Sequence, residues 1–148
     1  MTESTVSTSI IRETVVRYRG TRRRVPSLMG PRDVARFVVR VVGADPREHF
    51  VAIYLDARHA PIGWQVVSIG LANQCLVHPR EVFQAAVGLG ALAVVFAHNH
   101  PSGDPSPSEE DEAVTVRLRE AGALLGIEVL DSIVVGEKGA FVSLLGHA

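Results

Sequence analysis

The sequence predicts a mixed α/β domain, on three observations. Short apolar runs rich in β-branched and aromatic residues alternate along the chain with longer amphipathic stretches. Proline and glycine punctuate the joins between them. A chain of 148 residues that is 47% hydrophobic holds enough apolar side chains for one core and hardly for two, so one domain is expected.

Residues 1–30 read as a basic N-terminal arm and linker: residues 6–19 form an irregular arm, and "TRRRVPSLMG" is a linker by its Pro, Ser and Gly. The domain proper occupies 31–148. "PRDVARFVVRVVG" places Val34, Phe37, Val38 and Val41 at helical spacing behind Pro31, a residue suited to a first helical turn. "EHFVAIYLD" is apolar on both faces, as a central strand requires. "GWQVVSIGLANQCLV" reads as one or two strands broken near Gly70. "HPREVFQAAVGLG" opens with proline and closes with glycine, so it reads as a helix. "ALAVVFA" is a wholly apolar strand running straight into His98. "EVLDSIVVG" and "AFVSLLG" supply the closing strands.

Between them lies "HNHPSGDPSPSEED", residues 98–111, the most polar stretch of the domain. Ser106, Pro107 and Glu109 have the spacing of a capping box, with Ser106 as N-cap and Pro107 at the first helical position. The helix that follows buries Val114, Leu118, Ala121 and Leu125 and ends at Gly126. At about 100° per residue, Glu110 and Asp111 each lie about 50° from the centre of that stripe, so periodicity alone does not choose between them. Ser108 lies one turn before Asp111 on the same side.

Composition narrows the chemistry. No run of eighteen uncharged apolar residues and no secretory leader is visible, so a cytoplasmic protein without a membrane span is expected. A single cysteine, Cys75, excludes an internal disulfide and any multi-cysteine zinc site; it reads as a small buried residue. Any metal must therefore use histidine and carboxylate. In an extended segment His98 and His100 leave the backbone on the same side, and a helix-borne carboxylate some ten residues on can complete three corners of a tetrahedron. A fourth corner open to water is the arrangement of a catalytic zinc site, which also wants a nearby base.

Charge is uneven. Residues 1–40 hold nine arginines against three acids, and the remainder holds six bases against thirteen acids. The bland interpretation is intramolecular pairing or a solvated tail, and the sharper one is an arm for nucleic acid or an acidic partner. His49, His59 and His147 have no partner pattern and read as surface or strand-edge residues, while His78, before Pro79, ends a strand or caps a helix. The H-x-E and P-C-x-x-C elements of a zinc deaminase are absent. The tripeptide "HNH" is not the HNH nuclease unit, which spreads its residues over a longer segment.

His98-x-His100, seven residues, then Ser108-x-x-Asp111 resembles the JAMM metalloprotease signature of JAB/MPN domains. The words "VHPREVF", "AHNHPSGDPSPSEED" and "LLGIEVLDSIVVG" are similar to its RadC-like branch, in order, over about residues 31 to 146. The resemblance implies the cytidine-deaminase-like three-layer fold, a central mixed sheet with flanking helices. It implies one zinc per chain on His98, His100 and Asp111, with Ser108 positioning or stabilising a developing oxyanion. It implies a glutamate base on an earlier strand, assigned here to Glu48, with Glu81 as the spare candidate. The activity implied is hydrolysis of a peptide or isopeptide bond in a peptide or protein substrate. The alternative is a DNA-associated protein whose arm binds nucleic acid and whose JAB fold is structural. Two departures stand out. A short Arg-rich arm takes the place of the helix-hairpin-helix region of full-length RadC-like proteins, and Gly70-Leu71 replaces the family's usual Gly-Thr.

Overall fold

A computed structural model of the chain describes residues 30–70 and 77–146, together with positions 13, 15, 17, 19 and 20. The bulk of the arm, Leu71, Cys75 and His147 lie outside the described residues. The elements are α1 (Pro31–Val42), β1 (Glu48–Leu55), β2 (Pro61–Gly70), α2 (Pro79–Leu89), β3 (Ala93–Asn99), α3 (Glu109–Leu125), β4 (Glu128–Val135) and β5 (Phe141–Ser143). They build a five-stranded mixed sheet in the order β2-β1-β3-β4-β5. β3 and β4 are parallel and joined through α3, while the other neighbours are antiparallel. The segment expected as one or two strands is a single strand as far as Gly70.

Alternation along the central strands assigns every side chain to a layer. Phe50, Ala52 and Tyr54 of β1, with Val94 and Phe96 of β3, pack against Val82, Phe83 and Ala86 of α2 and Leu118 of α3. Val51, Ile53 and Leu55, with Val95 and Ala97, pack against Val34, Phe37 and Val38 of α1 on the other face. The result is the three-layer α/β/α arrangement of the JAB/MPN fold. β1 is buried along its whole length, which is why its sequence is apolar on both faces. The one hydroxyl in that stretch is satisfied, because Tyr54 donates to the Val82 carbonyl at 2.9 Å.

Two expectations about α3 need correcting. Its N-cap is Ser108, not Ser106. The Ser108 hydroxyl accepts from the Asp111 amide at 3.1 Å, and the Asp111 carboxylate accepts from the Ser108 amide at 2.8 Å, a capping box two residues later than the spacing of Ser106 and Glu109 implies. Ser106 is instead held in the preceding turn, its amide donating to Asp104 at 2.9 Å. The buried face is also rotated by one position: Thr115, Leu118 and Gly122 are buried, Val114 and Ala121 are partly buried, and Leu125 is 51% exposed. Gly122 lies on that face: a β-carbon there would sit 2.4 Å from the Ile127 carbonyl oxygen, just past the helix end, and 3.3 Å from Val129 Cγ2 of β4, so this packing requires a residue without a side chain.

Candidate metal centre

Alternation carries the α2/α3 face of the sheet to its polar end. Continuing back from Phe50 on β1, the next residue on that face is Glu48; continuing forward from Phe96 on β3, the next are His98 and then His100. In the antiparallel register Phe50 faces His98, so one step further on each strand brings Glu48 opposite His100. The first turn of α3 supplies Asp111 from above. Glu48, His98, His100 and Asp111 each offer one ligand atom, and those atoms all lie within 4.8 Å of one another.

The distances are those of a coordination shell. His98 Nε2 and His100 Nε2 are 3.2 Å apart, Asp111 Oδ1 is 3.1 Å from His98 Nε2, and Asp111 Oδ2 is 3.0 Å from His100 Nε2. For Zn–N bonds of about 2.0–2.1 Å, neighbouring corners of a tetrahedron stand about 3.3–3.4 Å apart. The ring orientations sharpen the point. His100 Nδ1 is 2.9 Å from the Asp104 carbonyl oxygen, which can only accept, so Nδ1 carries a proton and Nε2 is the nitrogen turned to the cluster. It faces a carboxylate oxygen and a second imidazole nitrogen. The donor set of two imidazoles and two carboxylates fits a divalent metal.

The surroundings hold each ligand in place. His98 is 3% exposed and its ring stacks on Phe50, centroids 5.8 Å apart and planes 13° from parallel. Among the described residues its Nδ1 has no hydrogen-bond partner. The His100 amide donates to the Val135 carbonyl at 2.8 Å, which ties the ligand loop to the end of β4. Behind that loop sits Gly136, where a β-carbon would lie 2.3 Å from the Gly103 carbonyl oxygen. Burial pushes the Asp111 carboxyl up, but hydrogen bonds from His98 and the Ser108 amide, with the charge of His98, outweigh it and hold the group well below the usual carboxylate range. Glu48 differs: burial raises its carboxyl and prevails over the opposing charges of His98 and His100. Its Oε1 stays 3.9 Å from His100 Nε2, outside hydrogen-bond reach.

A family model described as a RadC-like JAB domain matches residues 28–148. The chain belongs to that family. Curated RadC-like relatives are similar across the same region: a UPF0758 protein of Shouchella clausii is 50% identical over 119 residues, 80% of this chain and 51% of its own length. UPF0758 proteins of Bacillus cereus and Geobacillus thermodenitrificans are each 47% identical, over 80% and 77% of this chain and 52% and 50% of their own lengths. The chain thus spans about half the length of the curated relatives it matches.

Within the RadC-like domain, the residues singled out from the sequence separate cleanly. Glu48, His98, His100 and Asp111 come together, and Ser108 touches the cluster through its capping contacts with Asp111. The tie between Glu110 and Asp111 is broken, since Glu110 is exposed. Glu81 is exposed at the third position of α2 and is not part of the cluster. His78 occupies the N-cap of α2 without a side-chain capping bond, and His59 is exposed in the β1–β2 turn. His49 is not a surface residue but is 5% exposed at the head of β1, on the face opposite the cluster, with its Nδ1 2.8 Å from the Arg47 carbonyl oxygen. Sequence reading also missed Asn99, between the two histidines. Its place in the H-x-H alternation sends it to the His49 face, but nothing local names its partners. Among the described residues no helix is long and apolar enough to cross a membrane.

Proposed function

We propose that this chain is a zinc-dependent metallohydrolase of the JAMM type, cleaving a peptide or isopeptide bond with an activated water. One observation carries the reading: two imidazole nitrogens and both oxygens of an ionised carboxylate converge, with a further buried carboxylate of raised pKa beside them. His98, His100 and Asp111 would hold the metal, which would supply Lewis acidity and bring a water molecule's pKa towards about 7.

The remaining work falls to the protein's own groups. Glu48 accepts the proton of the attacking water and passes it to the leaving amine; burial raises its carboxyl, which suits a base that must also return a proton. Ser108 keeps a hydroxyl proton free while its oxygen accepts from the Asp111 amide, so it can donate to the oxygen of a carbonyl under attack. Its capping contacts also keep Asp111 aimed at the two histidines. The test joins metal analysis to a fluorogenic peptide-library assay. The wild type is expected to hold about one zinc per chain and to cleave, while Glu48→Gln holds the same zinc and cleaves about 10²–10⁴-fold more slowly. Purified protein that takes up no zinc would sink the reading.

The charge asymmetry supports a second reading, DNA association through the Arg-rich arm, in which Arg17 and Arg19 are exposed. Phosphate contacts would make affinity for a DNA duplex fall steeply with salt, and deletion of residues 1–24 would abolish it.

A further inference from the structure

The hydrogen-bonded ladder between β1 and β3 stops at Phe50 and His98, although both strands continue. Beyond that rung, among the described residues, His49 has its ladder partner in Ile69 of β2 and Asn99 in Val135 of β4. The two central strands therefore part company at the level of the metal cluster. The Asn99 side chain bridges the gap. Its Oδ1 accepts from the His49 amide at 2.7 Å, and its Nδ2 donates to the Arg47 carbonyl at 3.1 Å. These are the backbone groups immediately after and immediately before Glu48. Both Asn99 and His49 point to the α1 face, so the carboxamide lies on the far side of the sheet from the four cluster residues. Arg47's carbonyl is held twice, since His49 Nδ1 donates to it at 2.8 Å.

We propose that Asn99 is a positioning residue: its carboxamide clamps the backbone on both sides of Glu48 to the residue between the two histidine ligands, and so fixes the base relative to the metal-binding pair. The inference rests on the reading of Glu48 as proton acceptor. A backbone ladder would pull β1 and β3 together and close the space between Glu48 and His100. A side-chain bridge holds them in fixed relation while leaving that space open. The carboxamide is suited to the task because it presents one acceptor and one donor in a single plane, matching one amide and one carbonyl.

Asn99→Ala removes both arms of the clamp. Asn99→Asp keeps the acceptor for the His49 amide but sets an oxygen against the Arg47 carbonyl, and it serves if the alanine variant folds poorly. Crystal structures of the zinc-loaded variants are expected to show the Glu48 carboxylate displaced by about 1 Å or more, a shift sufficient to cost rate. Zinc per chain should stay at the wild-type level. On the best-cleaved member of a fluorogenic peptide library, kcat should fall about 10–100-fold with KM little changed. In a Glu48→Gln background, Asn99→Ala should cause no further loss, because it acts through the group already removed. An undisplaced Glu48 with wild-type kcat, or an equal loss in the Glu48→Gln background, overturns the proposal. Failure of the hydrolase reading would look different: zinc-loaded wild type and Glu48→Gln would be indistinguishable, and the position of Glu48 in the Asn99 variants would then decide the clamp by itself.

Discussion

At one end of the sheet, two polar clusters sit back to back, separated by the thickness of β1 and β3. On the α1 face, His49, Asn99, Asp45 and Arg47 satisfy one another: amide to carboxamide, carboxamide to carbonyl, guanidinium to carboxylate at 2.7 Å. On the α2/α3 face, His98, His100 and Asp111 turn their ligand atoms on one another at 3.0 to 3.2 Å, and Glu48 Oε1 stays 3.9 Å from His100 Nε2. Both sides hold histidine and carboxylate. What separates them is that the first cluster has an amide and a guanidinium to pair with its acceptors, whereas the second gathers ligand atoms that could hold a cation.

That contrast can be broken from the site side first. His98→Ala or Asp111→Ala should lower zinc affinity by more than about 100-fold, since even outer partners of metal ligands cost 10–100-fold; equilibrium dialysis with zinc measures it. Glu48→Gln should leave affinity near wild type and remove the acidic limb of the rate profile. In the wild type that limb should lie above glutamate's ordinary value of 4.5, because the proton-accepting form is lost as pH falls through a carboxyl pKa that burial has raised. An intermediate case is Gly136→Ala. Its methyl would meet the Gly103 carbonyl oxygen at 2.3 Å and Pro105 Cδ at 2.8 Å, so the ligand loop must move, costing about 1–3 kcal/mol in chemical denaturation and weakening zinc binding with it.

On the scaffold side, Phe37→Ala empties a fully buried position whose ring packs edge-on to Trp64 at 5.5 Å. It should cost about 3–5 kcal/mol of stability while leaving zinc bound per folded chain unchanged. Smallest of all should be Arg47→Ala, whose guanidinium is exposed. The melting temperature should hardly move, but the Asp45 carboxyl, held well below the usual range chiefly by its hydrogen bonds to Arg47, should climb back towards 3.8 in an NMR titration.

The sequence made much of this legible because alternation and helical spacing are local properties. The apolar strands, the Pro-led helices and the glycine ends of α2 and α3, Gly90 and Gly126 at φ 70° and 73°, all follow from near neighbours. The errors occur where a distant contact decides. "SPSEED" contains two overlapping boxes, Ser106 to Glu109 and Ser108 to Asp111, and the one that forms is the one whose acid also meets His98 and His100, a contact that no local pattern announces. The buried face of α3 differs from the expected one because Gly122 carries no hydrophobic weight, although its missing side chain lets Ile127 and Val129 pack against it. Asn99 went unnoticed because its partners are the backbone groups of His49 and Arg47, some fifty residues away, and His49 reads as a surface or strand-edge residue because its ring meets the Arg47 carbonyl and the Asp45 carboxylate, contacts that no periodicity names.

The box at Ser108 has a consequence for folding as well as for chemistry. One oxygen of Asp111, Oδ2, both receives the N-cap amide and faces His100, so the start of α3 and the occupancy of the metal site share an atom. Whatever binds there is thermodynamically linked to the helix: a tight metal adds to stability in proportion to the logarithm of its concentration over Kd, and a chelator withdraws that contribution. Amide exchange in the first turn of α3 should therefore act as a gauge of metal occupancy, readable without any substrate.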